Sequence, residues 1–149
     1  MICKKLGILM VAAILIAGIP PAAGAAQTVR IDLKTILASN DSNEIDARIS
    51  DIAAEYQSVF RYSSYRLVSR DNMSLGMGQS RSASLPGSRI MHISLVRVTD
   101  NRAHLSLRIM KKNRQIFETT AELLNNRSLT VGGPKYQNGY LLFHITSSF

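Results

Sequence analysis

Residues 89–112 read RIMHISLVRVTDNRAHLSLRIMKK, and the predicted fold is organised around this stretch. Its second half alternates polar and apolar residues, which is the period of a strand with one face in a core and one in water. Its first half carries apolar residues on both parities, which favours an interior strand covered on both faces. The stretch therefore predicts two long paired strands at the centre of a sheet.

The turn between these strands is predicted at Asp100-Asn101. Both residue types tolerate the positive φ angles that a two-residue hairpin turn requires. With two residues in the turn, Val98 faces Ala103 and Val96 faces Leu105. A three-residue loop would shift every pair by one position. We favour the two-residue turn.

Apolar residues in the segment before this hairpin recur at spacings of three and four, as on one face of an amphipathic helix. They are Ile45, Ile49, Ile52, Ala53, Tyr56, Val59 and Phe60. Asp41 and Glu44 stand just before them at the spacing of a capping box. The sequence therefore predicts a helix, capped at Asp41, that packs its apolar face on a sheet.

Short alternating segments predict the remaining strands. They lie at residues 28–37, 61–70, 73–75, 82–85, 116–124, 129–131 and 140–145. Together the elements predict an α+β fold, with one amphipathic helix packed on one face of a mainly antiparallel sheet of about six to eight strands. Such a sheet can curl into a sandwich.

The first 26 residues have the three parts of a secretory signal peptide. A basic start precedes an apolar run over residues 6–19, and a Pro-Pro break leads to the small residues AAGAA. An apolar run of this length is shorter than the roughly 20 residues needed to span a membrane. We predict cleavage after Ala25 or Ala26, leaving a single domain over residues 27–149 without a transmembrane span.

Cys3 is the sole cysteine and lies within the predicted signal peptide. The mature chain would have no thiol, which excludes a disulfide framework, a Cys-ligated metal and a Cys nucleophile. A short signal with two lysines and a cysteine-free mature chain suits a bacterial envelope protein. Removing Lys4 and Lys5 lowers the net charge from +8 to +6, and the surplus of basic residues lies in residues 61–149.

The basic residues gather around the central hairpin as a candidate anion-binding face. They are Arg97, Arg102, Arg108, Lys111 and Lys112. In the favoured register the three arginines share one face, which would attract lipopolysaccharide phosphates, anionic lipid headgroups or nucleic acid. The absence of Trp and the scarcity of aromatic residues disfavour nucleic acid. The alternative is a solvated face that keeps the protein soluble.

The last two predicted strands are joined by a glycine-rich segment, residues 132–139, that is longer than a hairpin needs. Loops carry function more often than cores do, so this segment is a candidate partner-binding loop. The candidate residues are Gly132, Gly133, Pro134, Lys135, Tyr136 and Gly139. The alternative is a surface turn without a binding role.

Residues 117–146, FETTAELLNNRSLTVGGPKYQNGYLLFHIT, resemble the end of the secretin family's β-domain. The shared pattern is a strand with Thr-Thr, a turn, a strand with Gly-Gly, and a closing apolar strand that ends in Ile-Thr. The chain lacks the lip and membrane-hairpin insert that secretins place after Gly-Gly, so the resemblance does not imply a channel. As a whole, the chain resembles small exported bacterial proteins of unknown function.

Three histidines, His92, His104 and His144, lie on different predicted strands. A three-His zinc site needs all three within about 2 Å of one metal. The favoured register points His92 toward the apolar face and His104 toward the polar face, so the three are not expected to converge. No nucleophile motif singles out a serine. We therefore assign no catalytic residue, metal ligand or cofactor.

The sequence does not specify an activity. We expect an exported, non-enzymatic envelope or periplasmic protein that binds another envelope component through its β face or glycine-rich loop. One alternative is a binder of anionic lipid or polymer through the basic residues, and a second is an unrecognised hydrolase. The sequence gives no prediction of oligomeric state.

Overall fold

The computed structural model describes residues 27–149, and the predicted signal peptide lies outside this range. The described residues form eight β-strands and one α-helix, α1, which a short 3-10 turn at Ala47–Ile49 precedes. In chain order the elements are β1 (Thr28–Ser39), α1 (Ser50–Val59), β2 (Ser64–Gly76), β3 (Ser80–Leu85), β4 (Arg89–Thr99), β5 (Arg102–Lys111), β6 (Arg114–Leu124), β7 (Arg127–Tyr136) and β8 (Gly139–Ser148).

The strands form two four-stranded antiparallel sheets that pack as a sandwich. The first sheet has the order β2-β1-β8-β7, and the second has the order β3-β4-β5-β6. The predicted antiparallel pairing and the predicted strand number are confirmed, but the description as one sheet is wrong. The chain crosses from one sheet to the other at the β2–β3 and β6–β7 connections, so each sheet has four strands.

The main core lies between the two sheets and follows the alternation that the sequence predicts for β5. Its inward residues Ala103, Leu105, Leu107 and Ile109 are all buried. They pack against inward residues of the first sheet in one cluster, among them Leu33 and Phe143. Fully burying one such Leu or Ile side chain contributes roughly 1.5–3 kcal/mol. This core holds the two sheets together.

The helix covers part of the outer face of the first sheet, as predicted, and forms a second core there. Tyr56 and Ile49 are buried against Ile36 and Leu142, which point away from the main core. Because the helix covers this outer face, the second half of β1 is buried on both faces and carries apolar residues on both. The predicted apolar stripe is only partly used, because Val59 at the end of α1 is 66% exposed.

The cap at the start of the helical segment is Asp46, and the predicted cap at Asp41 is wrong. The Asp46 carboxylate accepts a hydrogen bond from the backbone N–H of Arg48 at 3.0 Å. The residues before it are held extended instead, because the Tyr65 N–H donates to the Glu44 carbonyl. The helical turn therefore cannot begin before Asp46.

The central hairpin has the predicted two-residue turn, since Asp100 and Asn101 both have positive φ and Val98 faces Ala103. Beyond that point the predicted register is wrong. A bulge at Val96 lets Leu95, rather than Val96, face Leu105. The bulge moves Val96 to the outer face, where it is 55% exposed, so the expectation that β4 is covered on both faces is also wrong.

Candidate functional site

The helix packs on the first sheet, and the outer face of the second sheet carries exposed and half-buried side chains. The strand register places Arg97, Arg102 and Arg108 on this face, and we call these three residues the basic face. All three are exposed. None forms an ion pair with another described residue.

Acidic residues on β6 reduce the net positive charge around the basic face. Glu118 lies directly across from Arg108, and Glu122 lies across from His104. The Glu122 carboxylate lies 3.1 Å from Nδ1 of His104. Cross-strand pairs of opposite charge are favourable, so part of the attraction for a polyanion is already satisfied within the sheet. The face is therefore less strongly basic than the sequence alone indicates.

Lys111 and Lys112 are not on the basic face. Lys111 lies at the end of β5, opposite Arg89 on one side and Arg114 on the other. Lys112 is in the two-residue turn that follows, with a φ of 49°. The structure thus divides the five predicted anion-binding residues between two surfaces.

The predicted glycine-rich loop is wrong, because β7 continues through Tyr136 and the turn consists of Gln137 and Asn138. A register irregularity between Gly132 and Lys135 absorbs the extra residues. A Cβ at Gly133 would lie 2.9 Å from the Leu141 carbonyl oxygen and would overlap the Phe143 ring. This glycine is thus required by packing rather than by loop flexibility.

The three histidines lie on separate strands, and among residues 27–149 no group of three or more His, Cys, Asp or Glu residues is placed to hold a metal ion. The predicted direction of His92 is wrong, since the Val96 bulge places it on the outer face, where Nδ1 lies 2.9 Å from the Ser82 hydroxyl. His104 is hydrogen-bonded to Thr99 at 3.0 Å. Each histidine therefore has its own local partners.

A buried hydrogen-bonded chain fastens the helix to the first sheet. The Tyr56 hydroxyl lies 3.0 Å from the Thr130 hydroxyl, which in turn lies 3.0 Å from Nδ1 of His144. Burial raises the pKa of Tyr56 to about 12 and lowers the pKa of His144, to which Lys34 also contributes. Tyr56 is 1% and His144 6% exposed, and Thr130 between them is half-buried, so this chain stabilises the packing of the helix on the sheet. It was not predictable from the helical pattern, which marks Tyr56 only as apolar.

The His144 environment predicts a loss of stability when the pH falls from about 7 to about 5. The pKa of His144 is held below its ordinary value of 6.5 in the folded state. Below that pH the unfolded chain takes up a proton that the folded chain does not, so stability is full above about pH 6.5 and decreases as the pH falls. The measurement is urea unfolding across this range.

The control for this pH dependence is a variant without the imidazole. His144→Gln should flatten the stability curve between about pH 7 and 5 relative to the wild type. Arg48 lowers the pKa of Asp46 below its ordinary value of 3.8, so the contribution of Asp46 is lost only in more acidic solution. An unchanged slope in His144→Gln would contradict the assignment.

A cleft of about 520 Å³ lies between the β1–α1 connection and β2. Its acidic residues are Asp41, Glu44 and Asp46. The Asp46 carboxylate is already bound by the Arg48 guanidinium at 2.6 Å and by the Leu67 N–H at 3.2 Å. The carboxylates of Asp41 and Glu44 are exposed.

No protein-family model matches this chain, and neither a curated protein nor a solved structure matches it. The segment that resembles the secretin β-domain forms β6, β7 and most of β8, and the resemblance stays a prediction from sequence. Among the described residues, no helix has the length and apolar character needed to cross a membrane.

Proposed function

We propose that this chain is an exported, non-enzymatic bacterial envelope protein that works as a binding or assembly module, and that its partner adds a strand to the free edge of β6. The observation that carries the proposal is the difference between β6 and the other three edge strands. An open edge with unpaired backbone groups is a template for an added strand, and proteins usually block such edges.

Three of the four edges are blocked. On β2, Arg66 and Asp71 occupy positions whose side chains point toward the core side of the sheet. Their partners on β1 are the core residues Leu37 and Leu33, so this edge carries inward-pointing charges. β3 is only six residues long. β7 is interrupted by the irregularity that contains Pro134. Each of these devices disfavours pairing with another chain.

The β6 edge lacks such a device over most of its length. After a bulge near its start, β6 pairs regularly with β5 from Phe117 to Leu124. Its inward residues in this segment carry no charge, and they are Phe117, Thr119, Ala121 and Leu123. This segment can therefore accept a neighbouring strand without distortion.

The register also fixes which backbone groups of β6 face outward. The residues that flank a two-residue turn form a hydrogen-bonded pair, and such pairs alternate along an antiparallel ladder. Counting from the turn at Asp100 and Asn101, the N–H and C=O groups of Glu118, Thr120 and Glu122 point to the free edge. The same three side chains are exposed on the outer face. A partner strand with basic residues opposite Glu118 and Glu122 would complement their charge.

The proposal predicts that Thr120→Pro abolishes partner capture, because proline removes one outward N–H that an added strand needs. Thr120→Val is the matched control, since it keeps the N–H and a β-branched side chain. The measurement is capture by the purified protein from detergent-solubilised envelope of its bacterium at about 0.5 M salt, where exposed charges are screened. We expect the wild type and Thr120→Val to capture the same protein and Thr120→Pro to retain less than about a tenth of it.

A second variant protects this test against misfolding of Thr120→Pro. When capture is measured at about 0.1 M salt, where exposed charges still interact, Glu118→Lys with Glu122→Lys should weaken it, and Glu44→Lys with Glu55→Lys on the other sheet's side should not. Undiminished capture by Thr120→Pro would contradict the proposal. Should Thr120→Pro instead convert a dimer of the purified protein to a monomer, the added strand comes from a second copy, and another envelope protein is the wrong partner.

The second candidate function is binding of anionic lipid or polymer through the basic face. It is favoured by the exposure of Arg97, Arg102 and Arg108 on one face without ion pairs. Glu118 and Glu122 on the same face reduce this attraction. Binding of this kind would decrease steeply with salt, whereas strand addition would persist. No arrangement of the described residues favours the hydrolase, and we do not propose it.

A further inference from the structure

We infer that the end of the sandwich opposite the Asp100-Asn101 turn binds a phosphate-bearing anion. Four cations meet there, and we call them the cationic end: Arg89, Lys111, Lys112 and Arg114. This inference concerns a different surface and a different ligand from the β6 edge, and it does not depend on the proposed function.

The first observation is a row of three like charges across three neighbouring strands. Arg89 pairs with Lys111, and Lys111 pairs with Arg114. Directly opposite residues project to the same side of a sheet, and like charges in these positions destabilise it. None of the three forms an ion pair with a carboxylate among residues 27–149. The repulsion is therefore not compensated by the protein's own acidic groups.

The second observation is the state of the Arg89 guanidinium. Nη2 donates a hydrogen bond to the Lys135 carbonyl at 2.9 Å, and the group lies 5.8 Å from the centre of the Tyr136 ring. Nε and Nη1 are buried and have no hydrogen-bond partner among the described residues. Buried donors are nearly always paired, so two unpaired donor nitrogens on one cation call for an acceptor.

The location leaves room for such an acceptor at the rim of the site. Arg89 and Lys111 lie two residues beyond the buried Met91 and Ile109, on the same inward side of their strands. They therefore lie at the open end of the space between the sheets, which we call the mouth. Lys112 and Arg114 are exposed around this mouth. An anion bound there meets the exposed cations first, and pairing with the buried Nε and Nη1 of Arg89 requires a local rearrangement of side chains.

The chemistry favours a multiply charged phosphate. A phosphate group accepts two parallel hydrogen bonds from one guanidinium, and lysines add point charges around it. One phosphate or a short chain of phosphates would offset the charge of the three cations in the row. Its oxygens would also accept hydrogen bonds from the unpaired Nε and Nη1 of Arg89. A lipid headgroup and a soluble phosphate share this chemistry, so the experiment has an arm for each source.

The test is isothermal titration calorimetry of the full protein with sodium tripolyphosphate and, separately, with inorganic phosphate, at about 50 mM salt. We expect the wild type to bind tripolyphosphate more tightly than phosphate, and Lys111→Gln with Arg114→Gln to weaken this binding at least about tenfold. Arg97→Gln with Arg102→Gln on the basic face is the matched control, because it removes the same charge, and it should change the affinity by less than about twofold.

A second variant, Lys112→Asn with Arg114→Gln, alters only exposed residues and keeps a residue type that tolerates positive φ in the turn. It should also weaken binding, which keeps the test valid where Lys111→Gln fails to fold. Equal weakening by the Arg97 and Arg102 control would show that only net charge matters and would overturn the inference. Absence of tripolyphosphate binding by the wild type would overturn it as well.

The lipid arm uses flotation with vesicles of phosphatidylcholine alone and with phosphatidylglycerol added. Flotation that requires phosphatidylglycerol and is lost in Lys111→Gln with Arg114→Gln supports a lipid headgroup as the ligand. Tripolyphosphate binding without flotation supports a soluble phosphate compound. Flotation lost only in Arg97→Gln with Arg102→Gln would place the anion on the basic face and contradict the inference.

Discussion

Replacing Tyr56 by alanine is expected to lower the free energy of unfolding by about 3–5 kcal/mol, the usual cost of removing a buried aromatic side chain. The ring is buried in the second core and packs edge-on against Phe60 and His144, with centroid distances of 5.8 and 6.2 Å. Its loss also releases the hydrogen bond that fastens α1 to Thr130. Urea unfolding of the purified variant measures the effect.

The conservative variant Tyr56→Phe separates packing from hydrogen bonding. It keeps the ring and removes only the hydroxyl, so we expect a cost of about 0.5–1.5 kcal/mol. Thr130 retains its second partner, His144, which limits the penalty. A cost below about 1 kcal/mol for Tyr56→Ala would contradict the structure, because the helix would then contribute little to the first sheet.

Gly139→Ala is expected to destabilise the protein by about 3 kcal/mol or more, the upper part of the usual range for overpacking. Gly139 is buried at the start of β8, where its partner is Ser39 on β1. An added Cβ would overlap the Ala38 carbonyl oxygen, which is backbone and cannot rotate away. The two central strands of the first sheet would have to separate locally. Thermal unfolding and the yield of folded protein measure this.

The matched control is Gly132→Ala in the neighbouring strand. An added Cβ there meets nothing within 4 Å, so the substitution should change stability by less than about 1 kcal/mol. Similar losses in the two variants would mean that glycine matters through backbone freedom rather than through contact. That result would refute the close approach of β8 to β1.

The sequence predicted those parts of the fold in which one local pattern determines the structure. The alternation from Ala103 to Ile109 reports directly which face of β5 is buried, and Asp100-Asn101 specifies a two-residue turn. The helix was also predictable, because its apolar spacing persists over three turns. Its cap was not, since the extended pairing of Glu44 with Tyr65 depends on a strand that lies twenty residues later.

The register of β4 shows why local patterns were insufficient for the candidate site. A bulge of one residue reverses the face of every preceding side chain, and nothing in the composition around Val96 marks it. His92 and Ile90 consequently point outward, and the expected apolar cover of β4 is missing. The bulge follows from tertiary packing, which places Leu95 in the core opposite Leu105.

The binding surfaces were harder still to predict. The glycines at 133 and 139 looked like a flexible loop because their packing partners, Phe143 and Ala38, lie on other strands. The basic residues near the central hairpin were recognised, but Arg89 was not grouped with Lys111. That grouping requires knowing that β4, β5 and β6 are neighbours.

The strand order of the first sheet also has a consequence for how the chain folds. The second sheet is a meander of successive hairpins, so its pairings join residues close in sequence. The first sheet pairs Arg30 in β1 with Ser148 in β8, and contacts between such distant residues form slowly because a long loop must close first. During synthesis β1 emerges before the other seven strands and its neighbour β8 emerges after them. One side of β1 therefore stays open until β8 arrives, and this interval is when the chain is most exposed to misassembly.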